Sequence, residues 1–131
     1  MKKNHEFKWF EEVGAKFRGK PLISIMNRGG ISFNTSFMRK NFPDGSPKFV
    51  KMGYEEDSEN RYIAFLFTNE QNDPGIIKIT YPKPLYGWMQ CSSFFHKYKI
   101  DYKTLIIRSF EPEEYEDKIL GRTFVITIKK Q

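Results

Sequence analysis

A chain of 131 residues with a net charge of +6, 13 Phe and 7 Tyr has the length of one domain and is basic and rich in aromatics, a composition that favours sheet over helix. Its single cysteine, Cys91, excludes an intrachain disulfide framework and fits a reducing compartment. No apolar run approaches the roughly 18 residues of a membrane span, and the opening MKKNHEFKWFEE has no apolar signal core, so a cytoplasmic protein with neither export nor membrane insertion is expected.

Residues 5–18 place Phe7, Phe10, Val13 and Phe17 three and four apart, which is one face of a helix. An N-terminal helical segment is therefore expected within 1–20, ended by Gly19 and Pro21. LISIM (Leu22–Met26) and ISFN flank the turn NRGG and read as a hairpin, since glycines permit positive φ. Asn34, Thr35 and Ser36 all offer a side-chain oxygen to cap a following helix, expected over Thr35–Asn41 at about two turns and closed by Pro43 and Gly45. KFVKMGY and RYIAFLF then surround EEDSEN, a second hairpin with an acidic tip. Residues 68–75, TNEQNDPG, read as a linker.

After the linker the order begins again. IIKITY reads as a strand, PKPLYG as a turn, WMQCS as a strand and SFFHKYKI as a short helix capped by Ser92 or Ser93. TLIIRSF and RTFVITI read as strands around a second acidic tip, EPEEYEDKILG. Phe49–Glu55 aligns without a gap on Leu105–Glu111, Phe37 falls near Phe94, and Phe42 near Ile100. The expected fold is α+β, mostly β. It is a single domain over 1–131 that holds the N-terminal helix and two pseudo-repeated ββαββ units at 21–68 and 75–129.

Gly29-Gly30-Ile31-Ser32-Phe33-Asn34, followed by Phe37, Met38 and Arg39, resembles the core motif of the AbrB-like and MraZ-like swapped-hairpin DNA-binding families. That motif runs approximately Gly-Arg-aliphatic-x-aliphatic-Pro, then a short helix with an apolar residue and an Arg. The resemblance covers Leu22 to Phe67 and, more loosely, Ile76 to Ile128. Gly30 stands where the family has Arg, with Arg28 two positions earlier, and Asn34 stands where it has Pro. The second half has no Gly-Arg pair. The resemblance implies a barrel-like pair of interleaved halves with basic loops facing DNA. Two chains usually supply the halves, and here one chain would supply both.

Charge points the same way. Residues 1–53 hold 11 Lys and Arg against 4 acids, and residues 54–131 hold 11 against 12. Cations near phosphates release condensed counterions, so a basic segment suits a polyanion. Lys20, Arg28, Arg39, Lys40, Lys48 and Lys51 are the expected nucleic-acid-binding residues. Arg28 and Arg39 suit guanine's O6 and N7 acceptors, and the lysines suit phosphates. Tyr86 and Trp88 are candidates for stacking on unpaired bases, with packing beneath the Pro-rich turn as the alternative. Cys91 and His96 are the only nearby nucleophile–base pair, and with His5 they make no plausible four-ligand zinc set. Neither a catalytic site nor a cofactor is expected. The leading expectation is a small basic protein that binds duplex DNA, such as a transcription regulator. The alternatives are a protein–protein interaction module of phage or mobile-element type and a single-strand binder. A homodimer or another protein partner stays open.

Overall fold

The computed structural model describes residues 4–8, 19–119 and 121–130. Residues 5–8 carry no regular structure, and the rest of the helix expected over 5–18 lies outside the described residues. In chain order the elements are β1 (Ile23–Ile25), β2 (Gly30–Phe33), α1 (Thr35–Asn41), β3 (Phe49–Glu56), β4 (Asn60–Thr68), β5 (Ile76–Lys78), β6 (Thr80–Lys83), β7 (Tyr86–Gln90), α2 (Ser92–Lys97), β8 (Ser109–Phe110), β9 (Glu113–Asp117) and β10 (Gly121–Lys129). The fold is α+β and mostly β. No described helix is long and apolar enough to cross a membrane.

The strands form two antiparallel five-stranded sheets. The first has the order β6-β7-β2-β1-β8 and the second β5-β3-β4-β10-β9. In the first sheet β2 lies against β7, with Ile31 opposite Met89 and Phe33 opposite Gly87. In the second, β4 lies against β10, with Phe65 opposite Phe124 and Ile63 opposite Ile126. Alternate residues of a strand share a face, so Ile23, Ile25, Ile31, Phe33 and Met89 from one sheet meet Val50, Ile63, Phe65, Phe124 and Ile126 from the other in a single buried core. Aromatic rings set its centre. Phe33 sits edge-on to Phe65 at 5.8 Å and to Phe67 at 5.1 Å, and Phe37 of α1 is edge-on to Phe124 at 5.0 Å.

Two expected strands change sheets part-way. IIKITY divides at buried Ile79, where the Ile79 N–H donates to the Lys48 carbonyl at 2.9 Å. β5 pairs with β3 and β6 with β7. TLIIRSF is a strand only at Ser109–Phe110, which pairs with β1, and the chain then crosses at Glu111-Pro112 to become β9 beside β10. Leu105–Arg108 is not a strand, so it is no counterpart of Phe49–Met52. EPEEYED is likewise not a turn. Glu113–Asp117 is an exposed edge strand, and the tip that follows contains Lys118 and Ile119.

The two helices are capped differently. Asn34 is the N-cap of α1, and its Oδ1 accepts from Phe37 N–H at 2.8 Å and from Leu22 N–H at 3.0 Å. Its Nδ2 donates to the Lys20 carbonyl at 2.9 Å. One amide thus stops β2, starts α1 and pins the chain leading into β1, three tasks that a proline here could not perform. The N-cap of α2 is Cys91, which makes no side-chain cap bond, so neither Ser92 nor Ser93 serves as the cap.

Candidate nucleic-acid interface

The six cations singled out in the sequence do not form one patch. Arg28 lies in the exposed β1–β2 turn, two residues before β2. Arg39 and Lys40 occupy the last turn of α1, which follows the other end of β2. The four residues of β2 separate the two groups by about 13 Å at roughly 3.3 Å per residue. Lys20 is held by Glu111 at 2.6 Å, and it lines a cleft with Lys40, Asn41, Glu111 and Glu114. Lys51 is held by Asp73 at 3.1 Å, a carboxylate from the segment read as a linker. Lys48 is exposed beside Asn69, whose Oδ1 accepts its backbone N–H at 2.9 Å.

The neighbours of Arg28 come instead from the far half of the sequence. Cys91 N–H donates to the Gly29 carbonyl at 2.9 Å, and Gln90 Nε2 donates to the Arg28 carbonyl at 2.9 Å, so the β1–β2 turn adjoins the start of α2. Gly29 makes that approach possible. Its φ is +86°, and a Cβ there would lie 3.0 Å from Ser92 Cβ and 3.1 Å from Tyr102 Cζ. The end of β1 is tied to the loop after α2 as well. Ile25 N–H donates to the Arg108 carbonyl at 2.7 Å, while the Arg108 guanidinium donates to the carbonyls of Ile25 at 3.4 Å and Lys103 at 3.0 Å.

This end of the first sheet therefore sets the β1–β2 turn with Arg28, and Arg108, beside α2 and the loop after it, which carry His96, Lys97, Lys99, Asp101 and Lys103. His96 lies parallel to Tyr102 with ring centroids 6.1 Å apart, and Lys97 Nζ sits 5.5 Å from the Tyr98 ring centre. Asp101 is used locally, its Oδ1 accepting from Lys103 N–H at 3.2 Å. Arg28, Lys99, Lys103 and Arg108 form no ion pair among the described residues. A second cleft continues the cations towards the other sheet, with Lys99 facing Arg61, Lys129 and Lys130.

Lys97, Lys99, Lys103 and Arg108 were missed in the sequence because dividing charge between residues 1–53 and 54–131 averaged them with the acids at 111–117. A window over 96–108, HKYKIDYKTLIIR, carries the signal: four cations and a histidine against one carboxylate.

Tyr86 and Trp88 are two residues apart on β7 and half-exposed on the outer face of the first sheet. Trp88 lies across Gly30, where a Cβ would stand 3.6 Å from Trp88 Cε3 and 3.6 Å from Met26 Sδ. A Cβ at Gly30 would also lie 3.3 Å from the Met89 carbonyl oxygen. With exposed Met26, Trp88 forms a shallow apolar platform bordered by Ser32 and Gln90.

Cys91 is buried, its Sγ 3.6 Å from the Met89 carbonyl, and burial pushes its thiol up to about 12. The thiolate is scarce at neutral pH, while His96 faces solvent on α2. No group of three or more His, Cys, Asp or Glu side chains among the described residues is placed to hold a metal ion. No protein-family model matches the chain, and no curated protein or solved structure matches it either.

Proposed function

We propose that this is a small basic DNA-binding protein, with a role such as transcription regulation, in which one chain supplies both halves of a swapped-hairpin pair. The observation that carries the reading is the gathering of Arg28 with Lys99, Lys103 and Arg108 at one end of the first sheet, without carboxylate partners among the described residues. A turn from one half and a helix and loop from the other build it together, as the resemblance to the AbrB-like and MraZ-like families leads one to expect. The strand order supports the pairing of halves. The β1–β2 hairpin lies beside β6–β7 and the β3–β4 hairpin beside β9–β10, with the inner strands in contact each time. On this reading the ββαββ units are β1-β2-α1-β3-β4 and β6-β7-α2-β9-β10. Phe95, which is fully buried, takes the place of Phe37 rather than its neighbour Phe94.

Exposed Arg28, Lys99 and Lys103 displace counterions from a duplex, and the carboxylates of β9 orient the protein by repulsion. Arg28 and Arg39 lie at opposite ends of β2, so the pair does not read adjacent bases as one unit. Arg28 serves this end, and Arg39 with Lys40 forms a secondary, weaker contact.

Titration with a labelled duplex across a range of salt tests the reading. A linear fall of log affinity with log salt, with a slope near three cations' worth, supports it. Absence of duplex binding at low salt removes it. A second reading, single-strand binding, rests on the half-exposed Tyr86 and Trp88 platform, where each stacked base is worth about 1–3 kcal/mol. Tryptophan quenching by a single-stranded oligonucleotide, lost in Trp88→Leu, would favour that reading over the duplex.

A further inference from the structure

The edges of the two sheets are guarded unequally. β9 carries Glu113, Glu114, Glu116 and Asp117 along an exposed edge, and β6 carries Pro82. Charges and prolines of this kind keep an edge from pairing with another chain. β10 is different. It runs from Gly121 to Lys129, but β9 covers only Gly121–Val125. Its outward edge over Ile126–Lys129 has no strand partner among the described residues.

Beside that open edge lies an apolar groove of about 540 Å³. Leu105, Ile106, Ile107 and Phe110 form one wall, and Val125 and Ile128 belong to the other. Ile106 is 88% exposed and Ile107 67%. The size falls within the range of about 300–1,000 Å³ typical of ligand sites. The ends of the groove carry opposite charge: Glu113 where β9 begins, beside a Glu111 that Lys20 holds, and Lys129 where β10 finishes, beside a Lys130 that Glu56 holds.

We propose that the groove is a self-association surface that takes the β10 edge of a second copy of this chain, antiparallel and related by a two-fold axis near Ile128. A two-fold contact must be self-complementary. Antiparallel pairing about Ile128 meets that condition, because it brings Lys129 of one copy to the Glu113 end of the other. Each copy's Ile106 and Ile107 are covered in the same step, and the two second sheets join into one continuous sheet. The inference does not rest on the duplex-binding reading, and only Lys129 and Lys130 line both this groove's polar end and the cleft beside Lys99.

Sedimentation of the full chain without nucleic acid tests it. The wild type is expected to be a concentration-dependent dimer, and Ile106→Glu with Ile107→Glu to be monomeric with an unchanged circular dichroism spectrum. Lys129→Glu and Glu113→Lys are each expected to weaken the dimer about fivefold, and the two together to restore it. A wild type that stays monomeric at all accessible concentrations overturns the proposal. So does a dimer that survives the two Ile→Glu changes. A double charge swap no better than either single swap overturns the assigned two-fold. Loss of dimerisation with duplex binding intact would separate this surface from the basic end.

Discussion

The two ends of the first sheet have similar parts but differ in how many of their cations are paired. At one, the β1–β2 turn meets α2 and the loop to Arg108, and Arg28, Lys99 and Lys103 are exposed without ion pairs among the described residues. At the other, α1 meets the start of β9, and only part of the charge is spent: Arg39 and Lys40 are exposed without ion pairs among the described residues, while Lys20 and Arg122 are held. Lys20 is bound to Glu111, and Arg122 to Glu114 at 2.8 Å and to Asn41 Oδ1 at 2.6 Å. Arg122 also lies 5.0 Å from the Phe124 ring centre. Counting Lys and Arg along the chain cannot separate these cases. What matters to a polyanion is which cations remain after the protein's own carboxylates have been satisfied.

Substitution at the two ends gives the sharpest contrast. Arg28→Ala, Lys99→Ala and Lys103→Ala combined should weaken duplex binding on the order of 100-fold at moderate salt and reduce the salt slope by about three. Arg39→Ala with Lys40→Ala should cost only a few-fold. Fluorescence anisotropy at several salt concentrations measures both. Equal losses would erase the distinction between the ends, and a larger loss at α1 would reverse it.

The helices at the two ends differ in how they begin, and stability should follow. Asn34→Ala removes the α1 cap and the ties to Leu22 and Lys20, so about 2 kcal/mol should be lost in urea unfolding. Ser93→Ala, at the start of an α2 that has no side-chain cap, should fall within about 0.5 kcal/mol of wild type. Comparable losses would mean that the two helix starts are equivalent after all.

Arg122 tests whether the α1 end is a structural contact rather than a binding one. Its guanidinium satisfies buried Asn41, whose own Nδ2 donates to the Phe37 carbonyl at 2.9 Å. Arg122→Ala leaves an amide oxygen short of a donor and should cost about 1–2 kcal/mol of stability. Duplex affinity should stay within a factor of about two. Intact stability with lost affinity would move Arg122 into the binding surface.

Local pattern made much of this fold legible. The NRGG hairpin, the Asn34-capped helix and the EEDSEN hairpin all form where their turn and capping residues place them, because those signals act within a few residues of chain. What could not be read was decided across the chain. Ile79 looks like the middle of a strand but is the corner at which the chain leaves one sheet for the other. Leu105–Ile107 has strand composition, yet Arg108 is claimed by the carbonyls of Ile25 and Lys103, and pairing begins only at Ser109. The carboxylates at 113–117 look like a tip but line an edge strand, where charge discourages further pairing. The site was hidden for a related reason: Arg28 and Lys103 are brought together by an antiparallel β2–β7 contact that no local window contains.

The acidic tip that neighbours the basic end supplies the smallest and most specific test. Tyr54, just before that tip, stacks on Tyr98 at 4.3 Å, so the tip's charge lies close enough to matter to Lys97 and Lys99. Asp57, however, is committed to its own turn. The N–H groups of Asn60 at 2.7 Å and Glu59 at 2.9 Å hold its carboxylate below the usual Asp range, with a further bond from the Tyr62 hydroxyl at 2.8 Å. A depressed folded-state value means that the stabilisation is fully present above the unfolded carboxyl's value and is lost as pH falls through the folded one. Asp57→Asn keeps an accepting oxygen and removes the titration, so the acid side of the stability curve should become flatter while duplex binding at neutral pH is unchanged. Superimposable acid limbs in the two proteins would show that Asp57 is not held by its turn. In that case its charge would be free to oppose the phosphates at the basic end, and the variant should instead bind duplex more tightly than the wild type.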